Sequence, residues 1–450
     1  MMKSIRIGSG AGYAGDRIEP AIDIIKYGDL DYIIFECLAE RTIALAQKEK
    51  LENPDKGYNN LLEYRMEKIM PVLQAHPVKI ITNMGAANPT SAAEKIYEIA
   101  KKHDLPHLKI AAIEGDNVLK NLPDYQNETI LENGNTVQML GDSIISANAY
   151  IGAKQITEAL ASGADIIVTG RVADPSLVTG PIMYEFGKSY DDYDFLGKSI
   201  VAGHLIECSG QVTGGYFAVP GKKDVPELWN LGFPILTFKD NGDIELEKLP
   251  GTGGILNTAT VKEQLLYEIQ DPANYLTPDV IADFTKITVH QMENERVSVR
   301  GATGKKPTGK YKVSIGFLDG WIGEGEISYG GRSALERAKL SSEIVKKRME
   351  ILQLKFKEVR FDLIGVNSLF GNALLNENEP IEIRLRISAI ANTEAEAAKI
   401  GQEVETLYTN GPAGGGGARS YLRKIVAINS ILISAEVISP RIIWRGGNGV

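Results

Sequence analysis

Five short apolar runs constrain the fold of this 450-residue chain, because each ends abruptly in polar residues or glycine. The runs cover residues 5–7, 32–35, 79–82, 110–113 and 166–169. Apolar runs that alternate with amphipathic helical segments are typical of strands buried on both faces of a parallel sheet. The sequence therefore predicts an α/β fold of right-handed β-α-β units. The periodicity fits a doubly wound sheet as well as a barrel-like one.

The polar residues at the ends of these runs indicate one ligand-binding site. They are Glu36 after the second run, Asn83 after the third, Glu114 with Asp116 after the fourth, and Arg171 after the fifth. Ligands of parallel α/β folds bind beyond the carboxyl ends of the strands. We therefore expect these side chains to lie close together and to serve a common ligand.

Glu36 and Asn83 are candidate catalytic residues. A partly buried carboxylate such as Glu36 can have its pKa raised toward neutrality and act as a general base. The competing interpretation of this segment is an ion pair between Glu40 and Arg41. Asn83 could donate a hydrogen bond to an oxyanion, or it could cap the helix that follows Pro89.

Glu114 and Asp116 place two carboxylates at one strand end. Glu114 is a second candidate for moving a proton, and the segment could hold a divalent metal through oxygen ligands, with Asp116 as the metal ligand. The competing interpretation is a cap for a helix that begins at Asn117.

Arg171 and Asp174 form the next candidate pair. Arg171 can bind a carboxylate bidentately. Asp174 could orient Arg171, or it could cap the next helix, with Pro175 at the first helical position. Asn148 and Tyr150 add an amide and a phenol, and we predict that both bind substrate.

A glycine-rich segment follows the first run. Its glycines, in G-x-G-x-x-G spacing, are Gly10, Gly12 and Gly15. Glu36 stands where a ribose-binding acid would lie, so a dinucleotide is one candidate ligand. Another anion or an acyl group is a second, and a structural turn is a third. Asp16 and Glu19 count against a pyrophosphate, because their charges would repel it.

A denser glycine run lies late in the chain. It comprises Gly414, Gly415, Gly416 and Gly417, with Arg419 two residues further on. Successive N–H groups in such a loop can form an anion nest, and we predict that this loop binds substrate. The competing interpretation is a flexible turn.

His204 and Cys208 are four residues apart on a predicted helix, with Glu207 between them, and therefore share a face. A Cys–His pair suggests nucleophilic catalysis. The competing interpretation is core packing with a satisfied imidazole.

Composition excludes several classes of function. A net charge of -9 argues against a general nucleic-acid binder. Two cysteines provide neither a disulfide framework nor a cysteine-based metal site. The sequence contains no stretch of 18 apolar residues and no signal-peptide pattern, so we expect a cytoplasmic protein without a membrane partner.

The pattern of predicted strands and helices changes near residue 285. Before it, strands alternate with helices. After it, alternating strands and long amphipathic helices indicate an α+β arrangement. We predict an α/β domain over residues 1–285 and an α+β domain with the glycine-rich loop over residues 286–450.

Several strings together resemble the acyclic terpene utilisation (AtuA-type) family. They cover residues 8–16, 35–42, 82–89, 169–176, 320–325 and 410–417. The resemblance implies a role in breaking down branched acyclic acyl chains and related carboxylates, mostly as coenzyme A thioesters. Longer members resemble this chain plus a small ferredoxin-like domain, which implies a small partner subunit. The resemblance supplies no catalytic residues, so the candidates above rest on the sequence alone.

Together these features predict an oligomeric lyase or hydro-lyase acting on a small carboxylate or branched acyl-CoA in catabolism. The reaction would proceed by proton transfer α to a carbonyl, with a coenzyme A thioester as a candidate substrate and a divalent metal as an open option. The alternatives are a nicotinamide-dependent oxidoreductase and a non-catalytic subunit of a carboxylate or acyl-CoA enzyme complex.

Overall fold

A computed structural model describes residues 3–293, 295–371 and 380–447. The chain forms two compact units. The first runs to Gly316 and resumes at Ile428, and the second covers Phe317–Ala427.

The strands and helices follow in chain order. The strands are β1 (Ser4–Ala11), β2 (Tyr32–Phe35), β3 (Lys79–Thr82), β4 (Lys109–Glu114), β5 (Ile144–Ala149), β6 (Ile166–Thr169), β7 (Pro234–Lys239), β8 (Ile244–Lys248), β9 (Tyr275–Leu276), β10 (Ile281–Asp283), β11 (Thr288–Gln291), β12 (Val297–Arg300), β13 (Thr303–Lys305), β14 (Lys310–Gly330), β15 (Glu358–Ile364), β16 (Glu382–Ala391), β17 (Gly415–Ser434) and β18 (Arg441–Gly446). The helices are α1 (Glu19–Tyr27), α2 (Glu40–Glu52), α3 (Leu62–Leu73), α4 (Pro89–Lys102), α5 (Lys154–Ala161), α6 (Ser176–Phe186), α7 (Tyr193–Glu207), α8 (Thr258–Leu266), α9 (Ala334–Ile351), α10 (Glu394–Glu405) and α11 (Leu407–Asn410). Within the described residues, none of the helices has the length and apolarity needed to cross a membrane.

The first unit is built on a mixed sheet with the strand order β11-β12-β8-β7-β1-β2-β3-β6-β4-β18. Its centre, β1-β2-β3-β6-β4, is parallel and consists of the five predicted runs. The predicted α/β class is therefore confirmed. The sheet ends in two different edge strands, β11 and β18, so it is open rather than barrel-like.

The central strands are buried on both faces because their side chains alternate between two apolar cores. In β2, for example, Tyr32 and Ile34 pack in one core with residues of α5, α6 and α7. Ile33 and Phe35 pack in the other with residues of α1, α3 and α4. This double coverage explains why the runs are continuously apolar.

The division into units differs from the predicted division at residue 285. β12 pairs with β8, and β11 pairs with β12, so residues 288–291 and 297–300 extend the large sheet. Near the end of the chain, β18 adds antiparallel to β4 at the opposite edge.

The second unit has an α+β arrangement. Residues 321–330 of β14 pair antiparallel with β16, which also pairs antiparallel with β15. Alternate residues of β16, including Leu385 and Ile387, pack in a core with Val345 of α9 and Ile400 of α10. The outward face of β16 is polar, as expected for a sheet covered by helices on one side.

Candidate active site

The first unit contains a cavity of about 830 Å³ beside the carboxyl ends of β2 and β6. Its polar wall includes Glu40 and Arg41 after β2, Arg171 and Asp174 after β6, and Tyr150 after β5. The predicted convergence of side chains at one edge of the parallel sheet is therefore found for several of the candidates. Leu276, Pro278 and Leu432 supply an apolar part of the wall.

Glu36 ends β2 and is held by two hydrogen bonds. Its Oε1 accepts from the backbone N–H of Leu38 at 2.8 Å and from Nδ2 of Asn83 at 2.9 Å. The other atom of the Asn83 amide, Oδ1, accepts from the backbone N–H of Cys37 at 2.7 Å. Asn83 therefore orients Glu36 and does not cap α4, whose N-cap is Asn88.

The environment of Glu36 favours its protonated form. Burial raises the pKa of Glu36 to about 8, and the charge of Asp174 adds to this rise, while Arg171 opposes it. Glu36 keeps some solvent access, and it lies behind the wall rather than among the residues that line the cavity. A carboxyl in this state can donate a proton near neutral pH.

Arg171 is completely buried, and most of its five N–H groups are committed. Nε and Nη2 donate to the carbonyl of Val172 at 2.9 and 2.6 Å, Nη1 donates to the carbonyl of Leu38, and Nη2 also pairs with Asp174. The guanidinium lies over the ring of Tyr150, 4.4 Å from its centroid. These contacts make Arg171 chiefly the group that holds Asp174, whereas the sequence suggested an anchor for a substrate carboxylate.

Asp174 is the acid that faces the cavity, and its side chain is 36% exposed. Burial raises the pKa of Asp174 to about 6; Arg171 opposes this rise, and Glu207 adds to it. Asp174 does not cap α6, whose N-cap is Pro175. Asp174 thus becomes ionised at a lower pH than Glu36.

Asp116 and Asn148 form a buried scaffold under Arg171. Asp116 Oδ2 accepts from Nδ2 of Asn148 at 2.7 Å and from the backbone N–H of Arg171 at 3.1 Å. Asn148 Oδ1 in turn accepts from Nε2 of Gln47 at 3.2 Å. Among the described residues, no group of three or more His, Cys, Asp or Glu side chains is placed to hold a metal. By accepting from the backbone N–H of Arg171, Asp116 supports the loop that carries Arg171.

Glu40 connects the cavity wall to Lys312 of β14. Lys312 Nζ lies 2.5 Å from Glu40 Oε1, and the hydroxyl of Tyr150 donates to the same oxygen at 3.0 Å. Burial would raise the pKa of Glu40, but Lys312 outweighs this effect and the pKa is lowered. The partner of Glu40 is thus Lys312 rather than Arg41. Sequence reasoning missed Lys312, because no local pattern relates it to Glu40.

Glu114 lies apart from this cluster. Its side chain accepts from the hydroxyl of Thr90 and pairs with Arg441 at 2.9 Å, and these contacts lower its pKa despite partial burial. Side chains alternate along a strand, and Glu114 follows Ile113, which faces the core on the opposite side from α4. Glu114 therefore faces α4, and it is not among the residues that line the cavity.

The first glycine segment is packed against protein. A side chain at Gly10 would meet the ring of Phe35, and one at Gly12 would meet the backbone of Cys208. The N–H of Gly12 donates to Asp16 Oδ2 at 2.9 Å, and α1 begins only at Glu19. This geometry resembles a structural turn more than a phosphate-binding loop.

The late glycine run belongs to the second unit. Gly414 has a φ of 74°, which suits glycine, and Arg337 Nη1 donates to the carbonyl of Ala413 at 2.8 Å. β17 begins at Gly415 and includes Gly416, and Arg419 is exposed on it. The cavity described above is lined by residues of the first unit.

Comparison with known protein families gives one match. The model of the family described as "Acyclic terpene utilisation family protein AtuA" matches residues 5–444. No curated protein and no solved structure matches the chain. The family match confirms the resemblance carried by the sequence strings.

Proposed function

The chain belongs to the acyclic terpene utilisation (AtuA) family, and from this premise we propose that it is a lyase or hydro-lyase of carboxylate catabolism. Its substrate would be a small carboxylate or a branched acyl-CoA. The reaction would begin with removal of a proton α to a carbonyl.

One observation carries the proposal. Asp174 pairs with Arg171, and the charges of both act on Glu36. Burial raises the pKa of both carboxyls, Glu36 more than Asp174. Two carboxyls with separated pKa values can act as an acid and a base at the same pH. Strongly shifted groups beside a cavity are also typical of active sites.

The roles follow from these charge states. Asp174, ionised and open to the cavity, takes the proton from the α-carbon, and the electron pair of the C–H bond forms an enolate. In a substrate with a β-hydroxyl group, the electron pair of the enolate then forms a double bond between the α- and β-carbons as the C–O bond breaks. Glu36, protonated, would give its proton to the departing hydroxyl group, which leaves as water. The positive charge of Arg171 stabilises the enolate, although most of its hydrogen bonds hold protein groups.

The cavity supports a small substrate or the acyl end of a larger one. Its volume of about 830 Å³ lies within the usual range of ligand pockets, roughly 300–1,000 Å³. Arg41, Lys310 and Lys312 give its wall cationic groups that would attract a carboxylate. The apolar side chains Leu276 and Leu432 would contact a branched hydrocarbon chain.

The nicotinamide alternative gains no support from the first glycine segment. The N–H of Gly12 already donates to Asp16, and the backbone of Cys208 fills the space beside the Cα of Gly12 where a side chain would lie. The carboxylate of Asp16 would repel a pyrophosphate placed there.

Hydrogen exchange tests the proposal. The chain is incubated in D₂O with isovaleryl-CoA or isovalerate, and loss of the α-proton signal is followed by NMR. We expect exchange with the wild type and a loss of roughly 10²–10⁴-fold in Asp174→Asn, because a general base contributes about that much. Glu114→Gln is the matched control and should exchange normally.

Two results would overturn the proposal. One is exchange in Asp174→Asn at the wild-type rate. The other is no exchange by the wild-type chain with either probe, which would favour the non-catalytic subunit.

A further inference from the structure

The proposed reaction requires a hydrogen-bond donor for the oxygen of the enolate. An oxyanion that forms in a buried site is stabilised chiefly by donors that are already in place. Arg171 supplies positive charge, but it is buried, and most of its N–H groups donate to Val172, Leu38 and Asp174. A donor from another side chain of the cavity wall would complete the site.

Tyr275 offers such a donor. It lies in β9 and is one of the residues that line the cavity. Within the described part of the chain, its hydroxyl has no hydrogen-bond partner, and it is not one of the buried atoms that lack a partner, so solvent reaches it. The hydroxyl of Tyr150, in the same wall, already donates to Glu40 at 3.0 Å. Tyr275 therefore brings an uncommitted phenol to the cavity.

The phenol of Tyr275 keeps its proton at neutral pH. Burial raises the pKa of Tyr275 well above its ordinary value, and the charges of Glu207 and Asp174 add to the rise. A neutral phenol can donate one hydrogen bond to an oxygen atom. Tyr275 can thus serve as a donor over the whole pH range in which Asp174 is ionised and the protein is neutral to mildly alkaline.

Two aromatic neighbours fix the ring of Tyr275. The ring of Phe284 lies 5.5 Å from it between centroids, at an angle of 72°, and the imidazole of His204 lies 5.7 Å from it. His204 and Phe284 also contact each other, at 5.6 Å. Edge-to-face contacts at these distances are favourable. The three rings form one packed cluster, so the direction of the Tyr275 side chain is set before a ligand binds.

His204 is itself held rigidly. Its Nδ1 lies 2.8 Å from Oε1 of Glu207, and its Nε2 lies 2.8 Å from the backbone oxygen of Gln264. Both ring nitrogens are engaged, so the imidazole is not paired with Cys208. This arrangement corresponds to the interpretation of His204 as a core residue with a satisfied imidazole, and it gives Tyr275 a fixed surface to pack against.

Helix α7 brings Tyr275 close to the segment of Asp174. Gly203, which precedes His204, packs against Pro175, which follows Asp174. A Cβ atom at Gly203 would lie only 2.6 Å from the Cα of Pro175. One turn of α7 therefore contacts the backbone beside Asp174 and, through His204, the ring of Tyr275.

Asp279 provides a second connection between the two segments. Its Oδ2 accepts from the backbone N–H of Ala153 at 2.9 Å and from the hydroxyl of Ser176 at 3.4 Å. Ser176 is two residues after Asp174, and Asp279 is four residues after Tyr275. The segments are thus joined at both ends, and Asp174 and Tyr275 reach the same cavity from adjacent stretches of chain.

We propose that the hydroxyl of Tyr275 donates a hydrogen bond to the carbonyl oxygen of the substrate and stabilises this oxygen as the enolate forms. This inference rests on the proposed function. As Asp174 takes the α-proton, the electron pair of the C–H bond forms a C–C double bond, and the π electrons of the carbonyl group move onto oxygen. Tyr275 keeps its proton throughout. Because it would touch the reacting carbonyl group, Tyr275 is a catalytic residue.

Exchange of the α-proton of isovaleryl-CoA tests the role of Tyr275 in the reaction. Tyr275→Phe removes the hydroxyl and keeps the ring that packs against His204 and Phe284. The maximal exchange rate should fall roughly 10²–10³-fold, the usual loss for one oxyanion donor. The half-saturation concentration should change little, because the hydrogen bond strengthens only as charge develops on the oxygen.

Tyr311→Phe is the matched control. Tyr311 also borders the cavity, but it lies between Lys310 and Lys312 on β14. Side chains alternate along a strand, and Lys312 reaches Glu40 on the cavity side. The ring of Tyr311 therefore faces the other way and packs against the apolar core. Tyr311→Phe should exchange at the wild-type rate.

A spectroscopic measurement tests the contact without any turnover. 3-Fluorotyrosine is placed at position 275 alone, and its ¹⁹F signal is followed as isovaleryl-CoA is added. The signal should move on binding. S-(3-methylbutyl)-CoA has the same chain without the carbonyl oxygen, so it should move the signal much less. The same label at position 311 should respond equally to both compounds.

The two measurements separate failure of this inference from failure of the proposed function. Exchange by Tyr275→Phe at the wild-type rate, or equal movement of the position-275 signal with both compounds, would overturn the role of Tyr275. No exchange by the wild type, together with a signal that responds to the carbonyl compound, would overturn the proposed function and leave Tyr275 as a ligand-binding donor. No exchange and no response would overturn both. If Tyr275→Phe does not fold, the ¹⁹F comparison decides.

Discussion

Replacing Glu36 with glutamine should change how the stability of the first unit depends on pH. Oε1 of Glu36 accepts hydrogen bonds from Leu38 and Asn83, and an amide oxygen can accept both. Glu36→Gln therefore imitates the protonated carboxyl but cannot ionise. At pH 5 the two proteins should have nearly the same stability.

The sign of the effect follows from the raised pKa. Between the ordinary pKa of 4.5 and about 8, the folded protein binds more protons at Glu36 than the unfolded chain does. The free energy of unfolding of the wild type therefore falls as pH rises through this interval. Glu36→Gln lacks this loss, so it should become the more stable protein, and the difference should level off above pH 8.

The magnitude follows from the same interval. A rise in the pKa of Glu36 from 4.5 to about 8 corresponds to a loss of at most about 5 kcal/mol in the free energy of unfolding, because each pKa unit corresponds to about 1.36 kcal/mol. Glu36 keeps some solvent access and interacts with Asp174, so we expect less than half of this limit, on the order of 2 kcal/mol. For a unit of this size, that difference should appear as roughly 2–5 °C in Tm.

Calorimetry between pH 5 and pH 9 measures the difference, and infrared difference spectra of the wild type minus Glu36→Gln report the protonated carboxyl directly. Glu40→Gln is the matched control with the opposite sign. Lys312 holds the pKa of Glu40 below its usual range despite burial, so the stability that Glu40 contributes is present near neutrality and is lost in acid. A Tm difference between wild type and Glu36→Gln that is independent of pH, or that favours the wild type at pH 8, would refute the reasoning.

Three further substitutions test the same region. Arg171→Ala should destabilise the first unit by about 3–5 kcal/mol, because it removes one partner of a buried ion pair, and urea unfolding would show a change below 1 kcal/mol if Arg171 were only a ligand anchor. Gly12→Ala should cost about 1–3 kcal/mol, since its Cβ would lie 2.4 Å from the backbone carbonyl carbon of Cys208; wild-type stability in the same unfolding assay would contradict this packing. Lys312→Met should change stability by less than about 1 kcal/mol, because its ion pair with Glu40 is partly exposed. Lys312→Met should also weaken the binding of isovalerate roughly tenfold, equivalent to about 1.4 kcal/mol, as measured by calorimetric titration. An unchanged affinity would show that Lys312 does not contact the bound carboxylate.

The central strands could be predicted from the sequence because their signal is local. Each apolar run is short, is bounded by polar residues and is separated from the next by helical segments, so strand type and direction follow from the pattern. The position of Glu36 and Asn83 at adjacent strand ends follows from the same argument. The structure places β2 next to β3, and the two side chains are hydrogen-bonded.

The remaining features depend on contacts between distant parts of the chain. β6 lies between β3 and β4, and β18 closes the edge beside β4, although neither placement follows from the periodicity of those segments. The position of β18 beside β4 determines the ion pair of Glu114, because Arg441 of β18 becomes its partner. The ion pair of Glu40 with Lys312 joins residues 272 positions apart. No local pattern encodes such a pair, whereas the neighbouring Arg41 was the obvious partner in the sequence.

The charges around Arg171 give the strongest argument for the kind of substrate that suits the site. Near neutral pH, Glu36 is protonated, Asp174 is ionised and Arg171 is charged, so the three side chains together are neutral. In the proposed reaction, Asp174 would accept a proton and the group would gain one positive charge as the substrate becomes an enolate. In a buried site of low dielectric constant, this matching of charges would stabilise the enolate-forming transition state more than the ground state. A substrate that developed positive charge would be opposed by the same side chains, so the arrangement favours chemistry through an enolate.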